Sequence, residues 1–583
     1  MARRRIAIAL LRNDLRVSDN PVLYAARDAP GQPTFSLCSC STNARSNLVE
    51  FQDLKRFIDL KMSPLLMPKL VFVDFGGLEG IGPGSDLAIY LGRPENVVPH
   101  LVSGLQERGD TIEGVWLQQE VPSEEVTVEN RLSRALRKLK TTLHLDAGAR
   151  TLVHASDLPF QIPAQLPDVF TAFRKRVEGL NEKMVRQVLP DPSKGEWKPF
   201  PTLEREAHTA SIFALPNDVT EDPFIEQLIA PLVREPVQGD TIHRVAFYDV
   251  AGSAFPFRGG ESAARRRLDY YFGAGGVGEN CPATTYKETR NGLLGADYST
   301  KFSPYLTFGC LSAREIAARC DDLEDRLRDA EKLTDVARKN IYWIRFELLW
   351  RDYMFFVNMK YGNDLFKPQG LLMAVSPNNT KLKNDWTQWK DQDDKLRAWL
   401  EGRTGVPFVD ACMRELTATG YMSNRGRQNV ASYLAKDLYF DWRIGAEFFE
   451  SFLLDYDPAS NYGNWAYVAG VGNDPREGRK FNVIKQAKDY DPDGDFVKQW
   501  VPEVSGPELS GFQRHIPWQF WSTSEDNGGS YPRSPIVEDS SWKKFYIGGV
   551  EKDERGAGGR GKGRGRGRGR GGRGGRGRNS RVG

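Results

Sequence analysis

The sequence predicts an α/β protein in which an N-terminal domain with a doubly wound parallel sheet precedes a larger, all-helical domain. Three observations indicate this architecture. The chain has 583 residues, which is too many for one ordinary domain. Near the N-terminus, short apolar runs alternate with helical stretches, a pattern typical of parallel sheets flanked by helices. Beyond about residue 255, apolar residues recur every three to four positions, which favours helices.

The N-terminal sheet is predicted from short runs of apolar residues. The first run, RIAIALL, leads into RNDLRVSDNPVL and indicates a buried strand followed by a turn and a helix. The predicted strands cover 5–11, 70–74, 87–91 and 112–117, and the predicted helices cover 95–108 and 123–140. Because ligands of open parallel sheets bind beyond the carboxyl ends of the strands, we expect a ligand crevice at that edge.

Composition divides the chain into four regions. These are the α/β domain 1–145, a connector 146–250, the helical domain 251–520 and a disordered C-terminal extension 521–583. Residues 185–245 are rich in proline and polar residues and have no sustained periodicity. This pattern predicts a long connector that wraps over the surface.

The end of the extension, RGAGGRGKGRGRGRGRGGRGGRGRNSRVG, has low complexity. It holds eleven Lys and Arg and no acid, so the rest of the chain carries a net charge of −8 against +3 for the whole. One valine is its only large apolar residue, and we expect the segment to be disordered. Arginine and glycine repeats bind nucleic acid through phosphate charge and guanidinium stacking. The alternative is a tail that only increases solubility.

Composition also argues against several classes of protein. No run of 18 apolar residues occurs, which argues against a membrane span. The uninterrupted apolar run before Arg12 has only six residues, so the start predicts a first strand rather than a secretory signal. The six cysteines form no CxxC pair and no zinc spacing. We therefore expect a soluble intracellular protein without a metal site, in the nucleus or cytoplasm, with an organelle left open. We also expect a monomer.

The segment YKETRNGLLGADYSTKFSPYLTFGCLS, residues 286–312, contains a candidate anion site. Ser299, Thr300, Lys301 and Ser303 lie in a loop that leads into a predicted helix. Backbone donors, hydroxyls and a cation at the start of a helix suit an anion. A Ser-Thr pair alone is more often an ordinary helix cap, and this alternative stays open at this point.

The segment YWIRFELLWRDYMFF, residues 342–356, combines aromatic and charged side chains on one predicted helix face. Trp343, Glu347, Trp350 and Arg351 have the three- and four-residue spacings that place side chains together on a helix. An aromatic plate beside an acid and a guanidinium suits a flat heteroaromatic ring. Amphipathic core packing is the alternative, but it does not require an acid beside Trp350.

The stretch 419–465 carries polar residues that are unusual in a plain helical core. Apolar spacing from Val430 to Leu454 predicts two helices, followed by a polar loop at 455–463. The notable residues are Asn424 and Arg425 before a helix, Trp442, the carboxylates Asp455 and Asp457, Asn461 and Trp465. Taken alone, the tryptophans would be core residues and the loop polars would be caps.

The order and spacing of these segments resemble the flavin-binding core of the photolyase and cryptochrome family. NRGRQNVASYLAKDLYFDWR, DYDPASNYGNW and AYVAGVGNDPR most resemble its DASH members. The resemblance implies FAD as the cofactor. The residues that match its FAD contacts are Tyr286, Ser299, Thr300, Lys301, Phe302, Ser303, Arg351, Arg425, Asp455, Asp457 and Asn461. We expect Arg425 to pair with a carboxylate, because a buried guanidinium needs one.

The resemblance also implies roles in catalysis and electron transfer. Trp350 and Glu347 match residues that face a flipped pyrimidine dimer, and Asn424 and Asn461 match residues around the reacting ring. Trp389, Trp442 and Trp465 match the family's chain of three tryptophans, although buried tryptophans are more often only core.

Two functions follow from the resemblance. The first is light-driven repair of cyclobutane pyrimidine dimers, preferentially in single-stranded DNA, where flipping a base costs less. No histidine lies between His243 and His515, which argues against the (6-4) photoproduct, because its repair in relatives uses a histidine pair. The alternative is a blue-light photoreceptor that signals through flavin photoreduction. A plain RNA-binding protein leaves the motifs at 286–465 unexplained.

The N-terminal domain resembles the antenna domain of the same family. RNDLR with Asp19 and Asn20, and WLQQEVPSEEVTVE, carry this resemblance. It implies a 5,10-methenyltetrahydrofolate antenna held by Glu120 or Glu124, which would otherwise be solvated helix-cap residues. Residues 36–84 depart from the family pattern, because the expected arginine-rich helix and strand pattern are missing there.

Overall fold

The N-terminal part of the protein is built on a parallel sheet. The computed structural model describes residues 5–16, 18–29, 34–40, 87–91, 93–148, 150–181, 184–190, 251–274, 281–375, 393–473, 480–521 and 531–546. Five strands pair in the order β3-β2-β1-β4-β5, all in parallel. They are β1 Arg5–Leu11, β2 Thr34–Cys40, β3 Leu87–Leu91, β4 Thr111–Gln118 and β5 Leu143–Asp146.

Helices cover both faces of this sheet. They are α1 Pro21–Arg27, α2 Pro94–Glu107 and α3 Ser123–Lys138. In β1, Ile6, Ile8 and Leu10 join one buried cluster with residues of α2 and α3. The alternate residues Ala7 and Ala9 join a different buried cluster that includes α1. Because successive strand residues point to opposite faces, β1 is apolar on both sides, as a doubly wound sheet requires.

The structure confirms the predicted fold class and three of the four predicted strands within one residue. Both predicted helices also form, with bounds shifted by one or two residues. Two strands were missed. β2 has the sequence TFSLCSC, which lacks a long apolar run, and β5 has only 4 residues. The expected departure from the family pattern after the second strand, and the strand predicted at 70–74, lie in residues 41–84, which are outside the described residues.

The remainder of the described chain is helical. Its first seven helices are α4 Phe170–Glu178, α5 Glu261–Tyr271, α6 Tyr286–Thr289, α7 Ser303–Thr307, α8 Ala313–Asp329, α9 Asp335–Tyr361 and α10 Leu372–Val375. They are followed by α11 Asp393–Leu400, α12 Pro407–Thr419, α13 Asn424–Ser432, α14 Trp442–Phe452, α15 Pro458–Ala469, α16 Val483–Tyr490 and α17 Asp495–Trp500. A π-helical turn, Tyr433–Asp437, continues α13.

The 27-residue helix α9 is the central element of this helical part. Thr334 caps its N-terminus by accepting a hydrogen bond from Ala337 N at 3.1 Å. Near its other end, the buried Asp352 accepts hydrogen bonds from Leu152 N at 3.0 Å and Val153 N at 2.9 Å. These bonds fix the chain that leaves the sheet domain directly against α9.

The motif RNDLR and the following Asp19 join the sheet domain to the helical part. Asp19 is buried and pairs with Arg314 of α8 at 2.9 Å. Arg16 is also buried and donates to Gly309 O at 3.0 Å. Gly309 has a φ of 69°, and a Cβ there would lie 2.1 Å from Asn13 O, so the two parts approach too closely for a side chain.

Part of the C-terminal extension, which was expected to be disordered from residue 521, lies within the described residues. Residues 531–546 pack on the helical part: Tyr531 Oη donates to Asp410 Oδ2 at 2.5 Å, and Trp542 is completely buried. These aromatic side chains supply the apolar burial that a low-complexity sequence lacks. The arginine- and glycine-rich segment lies outside the described residues.

No helix in the described part of the chain combines the length and the apolar character that crossing a bilayer requires. The division into four regions stays a prediction. Helix α4 lies in the expected connector, and its Phe170 stacks on Trp350 of α9.

Candidate functional site

A loop held by Arg267 presents the hydroxyl groups of the candidate anion site. Arg267 of α5 is buried and donates to Ser299 O and Thr300 O, both at 3.1 Å. It also pairs with Asp297 at 2.7 Å. The hydroxyls of Ser299, Thr300 and Ser303 have no hydrogen-bond partner among the residues that the structure describes. Three neighbouring hydroxyls at the start of α7 can therefore bind an anion.

Lys301 does not contribute the expected cation to this set. Its φ of 60° is in the left-handed region, and its side chain is buried. Lys301 Nζ lies 3.3 Å from the centroid of the Tyr298 ring and donates to Tyr421 Oη at 3.2 Å. Burial lowers the pKa of Lys301 well below its usual value, while Glu415 acts in the opposite direction. The neighbouring Phe302 is also buried, 5.7 Å from the ring of Tyr271.

Trp350 and Glu347 lie on one face of α9, as their spacing predicts. Glu347 Oε1 pairs with Arg290 Nη1 at 2.5 Å. Burial raises the pKa of Glu347 above its usual value, against the charge of Arg290. Trp350 stacks on Phe170 of α4, with ring centroids 3.7 Å apart, and its edge meets Tyr467 of α15 at 6.3 Å. The two residues that contact Trp350 here, Phe170 and Tyr467, lie more than 100 positions away from it in the sequence.

Arg351 connects the same helix to the anion site. Its Nη2 donates to Leu306 O of α7 at 3.2 Å, and its Nη1 donates to Arg150 O at 2.6 Å. Burial lowers the pKa of Arg351 to about 10, and the charge of Arg150 acts in the same direction. Tyr286 is buried, and burial raises the pKa of its phenol. The helices that carry Ser303 and Trp350 are thus bonded to each other.

The polar loop predicted at 455–463 is mostly helical, because α15 begins at Pro458. Asp457 caps this helix by accepting from Ser460 N at 2.7 Å, and it also pairs with Arg150. Proline is favoured in the first turn, where its missing N–H leaves no bond unmade. Asn461 is buried on α15, and its Nδ2 donates to Ala446 O at 2.9 Å.

Arg425 was expected to pair with a carboxylate, but its hydrogen-bond partners among the described residues are side-chain amides, whereas Arg427 pairs with Asp455. Arg427 Nη2 lies 2.8 Å from Asp455 Oδ2. On a helix, residues 425 and 427 point about 200° apart, so one carboxylate cannot serve both. Arg425 donates to Gln428 Oε1 and Asn291 Oδ1, both at 2.8 Å. Asn424, the first residue of α13, is exposed.

Arg425 has one donor left unused within the described part of the chain. Its Nε is buried without a hydrogen-bond partner there, and buried donors in native proteins are nearly always satisfied. A bound ligand would satisfy it. This donor, the three hydroxyls and the amide of Asn461 are the kinds of polar group that a dinucleotide cofactor such as the expected FAD would use.

The described tryptophans of the expected electron chain are buried. Trp442 donates its Nε1–H to Pro368 O at 3.0 Å. Trp465 lies 6.4 Å from Trp399, which is completely buried and was not predicted. Gly445 lets α14 approach α15, because a Cβ there would lie 2.1 Å from Trp465 Cη2. Trp389 lies outside the described residues.

Of the two predicted antenna residues, Glu120 is already bound by the protein. Its carboxylate accepts from Arg150 Nη1 at 2.5 Å, Gln118 Nε2 at 3.0 Å and Asn13 Nδ2 at 3.1 Å. Burial alone would raise the pKa of Glu120, but Arg150 and the other donors hold it below its usual value. Glu124 lies in the first turn of α3.

Sequence reasoning missed four residues of this site. They are Arg267, Arg290, Arg427 and Tyr467. Tyr467 follows Trp465 by two residues and Arg290 follows Tyr286 by four, so each lies close to a predicted residue. No local pattern distinguishes them, because their contacts form only when separate helices pack.

Comparison with known proteins agrees with this geometry. Residues 343–550 match the family model described as the FAD binding domain of DNA photolyase. A cryptochrome DASH of Danio rerio is 39% identical over 551 residues, covering 93% of this chain and 92% of that protein. One from Gloeobacter violaceus is 41% identical over 461 residues, covering 78% of this chain and 79% of that protein.

A solved structure shows the same architecture. The crystal structure of a Synechocystis sp. cryptochrome superposes with a TM-score of 0.70 at 34% identity, covering 94% of this chain and 99% of that chain. The fold is therefore that of photolyases and cryptochromes, and its helical part contains an FAD-binding domain. The sequence, the site and these relatives lead to one conclusion: the chain belongs to the cryptochrome DASH family.

Proposed function

We propose that this protein uses FAD and blue light to split cyclobutane pyrimidine dimers, chiefly in single-stranded DNA. The observation that carries the proposal is the aromatic corner of Trp350 and Tyr467 beside the Glu347–Arg290 pair. Trp350 is partly exposed, as are Phe346, Glu347 and Arg351 beside it on α9. A receptor that only senses light has no need of such a corner.

The residues that would hold FAD are the ones with unused polar groups. Ser299, Thr300 and Ser303 would donate to the diphosphate, and Arg425 Nε would donate to a further acceptor. Asn461 would place its amide beside the ring system, where an amide can donate or accept. When bound, FAD supplies light absorption and electron transfer.

The chain's own residues would position the dimer. A pyrimidine inside a duplex cannot reach a buried cofactor, so the dimer must leave the base stack. Trp350 and Tyr467 would contact its apolar faces, while Glu347 would bind polar atoms of the bases. The raised pKa of Glu347 increases the fraction of protonated carboxyl, which can donate as well as accept.

The experiment is a repair assay with purified protein. Single- and double-stranded oligonucleotides that contain one thymine dimer are incubated in blue light or in the dark, and the remaining dimers are counted. We expect light-dependent loss of dimers that is faster in the single strand. Flavin absorption without loss of dimers in either substrate would contradict repair.

A blue-light receptor is the second candidate, and the buried indoles favour it. Trp442, Trp465 and Trp399 are buried in the same helical core as the proposed cofactor site. In this candidate, light would change the redox state of the flavin and then a contact with a partner. Photoreduction in the absence of any repair would support it.

We also propose a 5,10-methenyltetrahydrofolate antenna near the carboxyl end of β4, where Glu120 and Glu124 lie. Glu120 would hold the folate only if it exchanged part of its contact with Arg150 for the ligand. The test is the absorption spectrum of protein reconstituted with this folate. Glu124→Gln should reduce the folate band and leave the flavin band unchanged.

A further inference from the structure

The N-terminal half of α9 carries a partly exposed tryptophan surrounded by cations. Lys287 N of α6 donates to Asn340 Oδ1 of α9 at 2.6 Å, which holds α6 against this helix. As a result, Lys287 Nζ lies 5.6 Å and Arg290 Cζ 5.4 Å from the centroid of the Trp343 ring. Trp343 has no part in the cofactor or dimer contacts proposed above.

A further lysine lies close to this group. Lys339 is exposed and precedes Trp343 by one helical turn, which places the two side chains on the same side of α9. The proximity of Lys339 lowers the pKa of Lys287. Glu288 acts on Lys287 in the opposite direction but less strongly. Like charges in contact repel each other, and an anion between them would remove the repulsion.

The tryptophan is connected to the dimer corner by aromatic rings. Trp343 lies 4.5 Å from Phe346, which lies 5.3 Å from Phe170, which in turn stacks on Trp350 at 3.7 Å. Residues 343, 346 and 350 are three and four positions apart, so they follow one stripe of α9. The stripe leads away from the corner toward the start of the helix.

We propose that Trp343, Lys287 and Lys339 bind the nucleotide beside the lesion in single-stranded DNA. The base stacks on Trp343, and its phosphate lies between Lys287 and Lys339. Lys287 moves from the ring to the phosphate, which uncovers its part of the indole for the base, while Arg290 stays paired with Glu347. An aromatic plate with flanking cations is the combination that binds single strands without sequence choice.

This inference rests on the proposed function only in that the bound strand carries a lesion, because an undamaged strand would occupy the same nucleotide site. We therefore measure binding of a fluorescent, undamaged oligothymidylate in the dark, by anisotropy at several salt concentrations. The full-length protein is used throughout. Trp343→Ala should weaken binding roughly 5- to 100-fold with an unchanged salt slope, whereas Trp343→Phe should retain most of the affinity.

A matched pair of charge changes tests the phosphate contact. Lys339→Ala should reduce the slope of log affinity against log salt by about 0.7, the value for one phosphate of a single strand. Arg338→Ala removes the same charge one residue away, where the side chain is exposed and pairs with Asp335. It should leave the slope unchanged. Equal effects of the two changes would overturn the proposal.

Three further outcomes overturn it or support it. Wild-type affinity of Trp343→Ala, with an unaltered melting temperature, overturns it. Equal binding of polyglutamate at the same salt overturns it, because the surface would then be a general anion site. If no dimer is repaired but Trp343→Ala and Lys339→Ala behave as expected, the strand site is supported and the proposed repair function is contradicted. With repair present, Trp343→Ala should raise the KM for damaged strand and leave kcat unchanged.

Discussion

Glu347 illustrates how a single charged residue can serve a substrate site. It is held by Arg290, and the pair lies beside the partly exposed Trp350. A half-buried carboxylate with one partner keeps unused acceptor positions. Because the partner comes from another segment of the chain, the position of the carboxylate is fixed before any ligand arrives.

The first prediction concerns this carboxylate. Glu347→Ala leaves Arg290 without its partner and removes the group that binds the bases, so we expect repair at low substrate to fall by about 10- to 100-fold. Glu347→Gln keeps an acceptor and should lose less. The rate of dimer loss is measured at matched flavin content. Glu288→Ala, an exposed carboxylate nearby, is the control and should repair like the wild type.

The second prediction concerns the buried Glu415, near Lys301 and Arg427. Burial raises its pKa from 4.5 to about 8, and the charges of Lys301 and Arg427 oppose this only partly. The native state therefore binds more protons than the unfolded state between these two pH values. The free energy of unfolding contributed by this group falls as pH rises through that window, by up to about 1.4 kcal/mol per pH unit.

Glu415→Gln should remove this pH dependence. The stability of the variant relative to the wild type should rise steadily from about pH 5 to about pH 8, as measured by denaturant unfolding at several pH values. Glu508→Gln changes an exposed carboxylate and should give a flat difference. A flat difference for Glu415→Gln as well would mean that this carboxyl is ionised in the native protein throughout.

At this scale, the sequence predicted residues whose neighbours are local. Glu347 and Trp350 lie three residues apart on one helix, so their common face follows from helix geometry. Lys301 and Arg425 were predicted from the residue types and their order along the chain. The partners of Lys301 were not predicted, and the carboxylate partner expected for Arg425 was wrong. A left-handed φ at Lys301 and the 200° between Arg425 and Arg427 decide which way each side chain points, and neither is visible in composition.

Helix pairs in the core approach each other at glycines. Gly445 of α14 faces the ring of Trp465 of α15, and no larger residue fits between them. Two helices come this close only when one presents no side chain at the crossing. The proposed electron route through Trp465 therefore depends on the packing of α14.

The third prediction uses this crossing. Gly445→Ala should destabilise the protein by about 1–3 kcal/mol, because the methyl group must displace the indole. Gly104→Ala is the matched control in α2, where a Cβ meets nothing within 4 Å. It should stabilise by about 0.5–1 kcal/mol through helix propensity. Thermal unfolding of both variants gives the comparison, and two variants with the same sign would contradict it.

Whole elements were predictable where an apolar pattern persists over enough residues. α2, α3 and α9 follow from periodicity, and β1 from an apolar run. β2 could not be predicted in this way, because TFSLCSC contains no long apolar run. Its strand is defined by backbone pairing with β1 and β3. The loop predicted at 455–463 became a helix because Asp457 and Pro458 together form a helix start.

At the scale of the whole molecule, buried ionic contacts hold the parts together. Asp19 with Arg314, and Arg150 with Glu120 and Asp457, join the sheet domain to helices α8 and α15. Such pairs lie far apart in sequence, so composition could predict two domains but not how they dock. Removing one member leaves a buried charge uncompensated, which is strongly destabilising.

The fourth prediction concerns the C-terminal extension. A chain that ends at residue 521 should melt at a lower temperature than one that ends at residue 546, because Trp542 and the Tyr531–Asp410 bond are lost. The chain that ends at residue 546 should melt like the full protein. Its affinity for single-stranded nucleic acid should nevertheless fall, with a smaller salt slope, since twelve Lys and Arg but only three acids are removed.

The whole account depends on one corner of the helical domain, where Trp350 would meet a pyrimidine dimer next to FAD. The most direct measurement is the loss of dimers from a damaged single-stranded oligonucleotide in blue light, comparing the wild type with Trp350→Ala at matched flavin content. We expect the wild type to remove dimers only in the light and the variant to be at least about tenfold slower, since an aromatic contact is lost. Equal rates for the two proteins would contradict the account.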